Sequence, residues 1–438
     1  MAKQTSAEFR ALVADAMTHF QGGRLAEAET AYRAALAIVP ADPAVTHNLG
    51  VAIAAQGRHQ EAIGCFEQAL RTDPGFVSAH YNRAVALMTL GETQDAISAF
   101  SRAATLEPQH YQAHRALGFL WLSQGERGRA LDHFARTYEL RRGDDRTTIA
   151  LKSLTTTTGH KLRHDAEQFL YLSQRARDGL RFERLARSYL EVAKQVPDEI
   201  VTLSDVQMEL LGEDYNTPIH MRAAPEVAGH AINERADRAA LTAQFKEQGA
   251  IPVDDLLTPP ALDSLQRFLL ESTIWHDFSH IDGFVASYLE DGLACPLLLQ
   301  IADELRQAFP EILGAHPLSQ AWAFKGLQAQ AAVDVHADDA TVSVNFWVTP
   351  TEANLEPGHG GLVVCRAPPP DDWEIRDYDG DQERIVTFLG QKAADMLVIP
   401  YRQNRAALFR SRLFHYSDRP KFGSTYENHR INLTLLYG

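Results

Sequence analysis

Apolar positions recur at helical three- and four-residue spacing through the first 140 residues, and the pattern itself repeats with a longer period. Gly23, Gly57, Gly91 and Gly125 stand 34 residues apart, and so do Ala28, Ala62, Ala96 and Ala130. The aromatics Tyr32, Phe66, Phe100 and Phe134 keep the interval, followed by Ala35, Ala69 and Ala103, with Thr137 in the fourth place. Pro40, Pro74 and Pro108 close three units, and Arg142 stands where a fourth proline would fall. Each column has a physical role. Glycine allows a tight turn between two helices. Small alanines let paired helices approach, and the aromatic fills the space between them. Proline ends the second helix of a unit. The pattern predicts four helix pairs over residues 1–145.

Beyond residue 145 the glycine register is lost, but helical patterning continues over Asp165–Arg177 and Phe182–Val196. Tyr189 and Pro197 keep the aromatic-to-proline offset of the earlier units. Residues 146–237 therefore read as a degenerate repeat or capping helix pair, then a linker with one short helix over Leu203–Leu211. Terminal repeats diverge because one face meets something different. From residue 238 the pattern changes. A short strand follows Gly249, a helix starts at Pro259 after Thr258, and an amphipathic helix covers Cys295–Phe309. Strands then dominate: Thr341–Thr349, Gly360–Cys365, Asp395–Ile399, Ala406–Phe409 and Ile431–Tyr437. Helices followed by short strands predict a β-sandwich or jelly roll with helices packed on one side.

Composition narrows the function. The chain of 438 residues is 45% hydrophobic and 23% charged, enough for several cored domains. Acidic residues outnumber basic ones 57 to 42, for a net charge of −15. This disfavours nucleic acid or an anionic membrane as the main partner. Three scattered cysteines, Cys65, Cys295 and Cys365, make neither a disulfide framework nor a cysteine-rich zinc site. The first residues show no basic-then-apolar leader, and no apolar run approaches the ~20 residues of a membrane span. A reducing, cytoplasmic setting is expected. Oligomeric state is not legible.

The 34-residue unit resembles the tetratricopeptide repeat over residues 9–142. That resemblance implies an α-solenoid whose first helices line a concave groove suited to a protein or peptide. Asn48 and Asn82 occupy equivalent places on those helices and are candidates to hold a peptide backbone; the alternative is that they are solvated helix residues.

His336-Ala337-Asp338 lies in the β-rich region, and its outer side chains can point to one side of an extended chain. His415 directly follows the strand Ala406–Phe409, and Arg430 opens the last strand. Two histidines and a carboxylate form the facial triad of non-haem iron oxygenases, which leaves metal positions open. A competing pair, His280-Ile281-Asp282, could take His336 as its later histidine, but no arginine follows that residue until Arg366. In Thr341–Thr349, Val342, Val344, Phe346 and Val348 share one face, while Ser343, Asn345, Trp347 and Thr349 share the other. The apolar face is expected against helices, the mixed face towards a cavity. Arg430, Asn432 and Thr434 share a face of the last strand. The proline-rich loop after Arg366 carries Trp373 and Arg376, and the turn Tyr401–Arg405 carries Arg402; all three are candidate substrate contacts, against plain loop structure. His276, His359 and His429 read as structural or solvated.

With Val335–Asp338, Thr341–Thr349, Gly360-Gly361-Leu362, Leu413-Phe414-His415-Tyr416 and Arg430–Tyr437, residues 238–438 resemble a prolyl-hydroxylase-like 2-oxoglutarate- and iron(II)-dependent dioxygenase. The resemblance implies a double-stranded β-helix with flanking helices. It implies Fe(II) held by His336, Asp338 and His415, with 2-oxoglutarate and O2 as cosubstrates. Arg430 would pair with the distal carboxylate of 2-oxoglutarate, and Asn345, Trp347 and Asn432 would contact it. The Arg-x-Asn here departs from the family's Arg-x-Ser, and the histidine-to-arginine gap is long, which an extra turn at Lys421–Asn428 would explain. The expected activity is hydroxylation of a protein or peptide recruited by the repeats. The alternatives are a small-molecule substrate with repeats serving assembly, or a repeat scaffold with a relic β domain.

Overall fold

The computed structural model describes residues 2–144, 153–235, 237–279, 283–326, 335–370, 372–373, 381–392 and 395–438. His280, Asp282 and Arg376 lie outside them. The chain forms two compact units, Met1–Leu120 and Trp121–Gly438.

In the first unit, helices α1 (Ala2–Gln21) to α6 (Thr93–Leu106) form antiparallel pairs, joined within each pair by Gly23, Gly57 and Gly91. These glycines have φ of 71°, 79° and 77°, the left-handed region that a side chain disfavours. Tyr32, Phe66, Phe100 and the neighbouring alanine column are buried between helices. The second helices end at Ile38, Thr72 and Leu106, two residues before Pro40, Pro74 and Pro108. At Gly50 a Cβ would come within 2.7 Å of the Phe66 ring, so the helix pair approaches closely there.

Helix α7 (Tyr111–Ser123) leads into the second unit, which contains α8 (Arg127–Arg142). Helices α9 (Gly159–Ser173) and α10 (Gly179–Ala193) pack as a pair around Phe169, Phe182 and Tyr189. They are steadied by a two-stranded ladder of β1 (Thr156–Thr157) with β2 (Val201–Thr202). The short helix α11 (Asp205–Leu211) starts at a Ser204/Gln207 capping box.

Helix α12 (Arg238–Gln248) then leads into the sheet region. Its strands are β3 (Ala250–Val253), β4 (Phe284–Tyr288), β5 (Leu318–Gly326), β6 (Val342–Trp347), β7 (Leu362–Cys365), β8 (Met396–Ile399), β9 (Ala406–Arg410), β10 (His415–Ser417) and β11 (Ile431–Tyr437). A six-stranded antiparallel sheet runs in the order β3-β9-β6-β11-β5-β4, and a three-stranded one in the order β10-β7-β8. The sheets share a core: Trp347, Ala407 and Phe409 from the larger pack with Leu362, Val364 and Ile399 from the smaller. Among the described residues the two ladders stay separate, so the architecture is an antiparallel two-sheet region rather than a demonstrated closed jelly roll. On the larger sheet's other face, Tyr437 donates a hydrogen bond to Ala302 in α14 (Pro296–Ala308), which follows α13 (Pro259–Glu271). Helix α15 (Gln382–Gln391) lies beyond β7. Among the described residues no helix is long and apolar enough to cross a membrane.

Candidate metal centre

His415 is the first residue of β10, just past a tight turn in which the Leu413 amide donates to the Arg410 carbonyl. On one side it pairs with Val364, and on the other it exchanges two backbone hydrogen bonds with His336, of 3.1 and 2.9 Å. Directly opposed residues put their side chains on the same face, so the imidazoles come together with ring centres 4.3 Å apart. Two residues on, the Asp338 amide donates to the Ser411 carbonyl at 2.9 Å. His336, Asp338 and His415 can each offer one ligand atom within 4.8 Å of the others. Asp338 carboxylate oxygens lie 3.7 Å from His336 Nε2 and 3.5 Å from His415 Nε2. The His336 side chain is 39% exposed and the other two about 5%, so the cluster is buried with one accessible side.

The donor set fits a divalent metal. His415 Nδ1 is 2.9 Å from the Leu413 carbonyl, to which it must donate, so Nε2 carries the lone pair. Burial, with His336 alongside, lowers the His415 pKa to about 4, so its imidazole is neutral. A lone pair and a carboxylate oxygen then face each other at 3.5 Å, an arrangement a bound cation relieves. Ser343 donates to Asp338 Oδ2 at 2.6 Å and exchanges a 2.9 Å hydrogen bond with Ser411. Such outer hydrogen bonds aim a ligand at its metal.

Ser343 is on the inner face of β6, as are Asn345 and Trp347. Register pairs Asn345 with Thr434 and Trp347 with Asn432. Asn345 donates to Thr434 at 3.0 Å, which leaves its Oδ1 buried without a partner among the described residues, as is Trp347 Nε1. Arg430, fully buried just before β11, donates to the carbonyls of Gly360 and Gly361 and to Asn432 Oδ1. None of these is a carboxylate. Burial pulls its pKa down to about 10, the mark of an uncompensated cation.

Other candidates stand apart. Arg402 is exposed and paired with Asp254 and Asp255. Trp373 packs on Phe388 and Phe414 beside Val335, a small core next to His336 and His415 in the chain. In the first unit, His47 joins Asn48 (3.1 Å) to Asn82 (2.8 Å), and burial keeps the ring neutral. His276 is held by Tyr138 and Asn216, and His359 by Asp418, both in structural roles. The expected turn near Lys421–Asn428 contains a 3-10 segment, Tyr426–Asn428. Ser411 was not singled out by sequence, because a serine in a turn carries no pattern. Ser343 was legible only as part of a polar strand face.

Residues 2–43, 13–75, 47–106 and 81–145 match the tetratricopeptide-repeat family model. The N-terminal third of the chain is therefore a tetratricopeptide-repeat region. Among solved structures, the chain is similar to the first TPR of Spaghetti (RPAP3) bound to an HSP90 peptide, at 20% identity and TM-score 0.27, over 27% of this chain and 95% of that one. It is also similar to a Thermobaculum terrenum O-GlcNAc transferase mutant, at 27% identity and TM-score 0.29, over 32% of this chain and 28% of that one. A MamA structure matches at 20% identity and TM-score 0.29, over 43% of this chain and 92% of that one. No curated protein matches the chain.

Proposed function

We propose that the β-rich region is an iron(II)- and 2-oxoglutarate-dependent oxygenase, and that the repeats bring it a protein or peptide to hydroxylate. One observation carries this reading: His336, Asp338 and His415 converge beside an inner sheet face that also buries Arg430 without a carboxylate partner among the described residues. Iron held by the three ligands would couple oxidative decarboxylation of 2-oxoglutarate, with O2, to hydroxylation of a substrate C–H bond. The chain's own residues do the rest. Arg430 matches a carboxylate with two parallel N–H donors, and Asn432 fixes its fork through the 3.1 Å bond. Trp347 Nε1–H and Asn345 Oδ1, both buried without partners among the described residues, offer a donor and an acceptor to the same cosubstrate. Ser343 and Leu413 hold two metal ligands in position, and the surrounding core excludes water. Recruitment by the repeats is supported by the solenoid's groove, a common peptide-binding surface.

Purified protein given iron(II), 2-oxoglutarate and O2 should form succinate, and chelation should stop it. No succinate together with no metal binding would overturn the oxygenase and leave an interaction scaffold.

A further inference from the structure

We propose that a basic cleft beside the metal centre binds an oxyanion, a carboxylate or phosphate carried by the peptide on which that centre acts. The cleft has a volume of about 530 Å³, within the range of sites that take a small ligand or side-chain group. Among the described residues, Lys246, Arg366, Arg410 and Arg412 line it, against one carboxylate, Glu311. Glu311 is already paired with Lys246. Among the described residues, Arg410 donates to the Lys246 carbonyl and Arg412 to the Trp373 carbonyl, and Arg366 Nε is buried without a hydrogen bond. Guanidinium groups with no acid paired to them among the described residues, gathered in a concavity, match planar or tetrahedral oxyanions. The whole chain has a net charge of −15 and repels anions at long range, so this is a local exception.

The cleft is not the cosubstrate cavity. Val342, in its wall, pairs in register with Arg410, and both lie on the face of the sheet opposite Ser343, Asn345 and Trp347. It is nonetheless tied to the metal ligands. Arg410 and Arg412 flank Ser411, whose carbonyl receives the Asp338 amide, and the next residue, Leu413, accepts from His415 Nδ1. A group bound by these arginines is therefore held one turn away from two of the three ligands. That the oxyanion belongs to the substrate rests on the oxygenase reading; that the cleft binds oxyanions does not.

The test uses full-length protein in chelator-treated buffer and fluorescence anisotropy with three labelled hexapeptides: hexaglutamate, a phosphoserine-containing peptide and hexaglutamine. The two anionic probes should bind, more weakly as salt rises, and hexaglutamine should not. Whichever anionic probe is preferred distinguishes carboxylate from phosphate. The double variant Arg366→Gln/Arg412→Gln should weaken the preferred probe at least about tenfold, which is about 1.4 kcal/mol, with an unchanged melting temperature. A second pair, Arg410→Gln/Arg412→Gln, covers misfolding of the first. Equal binding of acidic and neutral peptides, or full affinity in both folded variants, would overturn the proposal. Anion binding with neither metal binding nor iron-dependent succinate would remove the oxygenase reading and leave the oxyanion site in place.

Discussion

Arg430 combines two demands that pull against each other. Its burial costs stability, because a guanidinium whose pKa falls from its usual value to about 10 is disfavoured in its charged form by roughly 3 kcal/mol. Among the described residues its hydrogen-bond partners are all neutral acceptors. A group kept at such cost is expected where an anion completes it. Arg430→Gln should therefore melt no lower than the parent protein, yet raise KM for 2-oxoglutarate at least about tenfold, the scale of a lost charge-assisted pair. A lower melting temperature with unchanged KM would make the arginine purely structural. Ser343 works one step further back, through its 2.6 Å bond to Asp338. Ser343→Ala should weaken iron binding or turnover roughly 10–100-fold, measured by iron titration and succinate formation. An unchanged iron affinity and rate would show that Asp338 needs no outer partner.

At the scale of elements, helix α8 shows how a departure from a repeat acquires a purpose. The columns that end three units in proline put Arg142 in the fourth. Without proline the helix runs on to Arg142, whose guanidinium makes two hydrogen bonds, 3.0 and 2.9 Å, to the buried Asp291 carboxylate. One turn earlier Tyr138 reaches His276 at 2.7 Å. The last repeat helix is thereby fixed to the sheet region. Arg142→Ala strands a buried carboxylate and should cost about 3–5 kcal/mol. Arg141→Ala, which removes a longer, partly exposed contact of 3.4 Å to the same Asp291, should cost less than about 1 kcal/mol. Equal losses in denaturant melts would contradict this division. The sequence showed where the repeat breaks, but the acid that answers Arg142 is 149 residues away, and no local pattern carries that. The same holds for the strands. Val342–Trp347, Leu362–Cys365 and Ile431–Tyr437 were legible because their residues alternate or run apolar between turns. Leu318–Gly326 was not, because Ser319, Gln320 and Lys325 interrupt its apolar signal. His336, Asp338 and His415 could be picked out by type and order, whereas their convergence depends on the cross-strand pairing of His336 with His415.

Lys325 points to a property of the second unit as a whole. It is fully buried on the face of the larger sheet away from Ser343, Asn345 and Trp347, with Nζ 2.9 Å from the centre of the Tyr426 ring, and burial holds its pKa well below the usual lysine value. Around it lie His164 and Glu167 from α9, and His429. Burial, aided by the charge of Lys325, lowers His164 and His429 to about 3, while burial raises Glu167. The sign of the pH dependence follows from proton counts. Below about pH 6.5 the unfolded chain protonates these histidines and the folded one does not, so stability falls with acidification, down to the folded value of about 3. Lys325 acts in the same direction from its unfolded value of about 10.4 downward, and Glu167 opposes it over a narrower range near its own titration. At pH 5 each histidine contributes a loss of about 2 kcal/mol, which for the pair lowers the melting temperature by on the order of 10 °C. Thermal melts at pH 7.5 and about pH 5 should show that drop in the wild type and a clearly smaller one in His164→Gln/His429→Gln. An equal drop in both proteins would place the acid sensitivity elsewhere, and a wild type indifferent to pH would mean that the helix–sheet interface hydrates its histidines rather than burying them neutral.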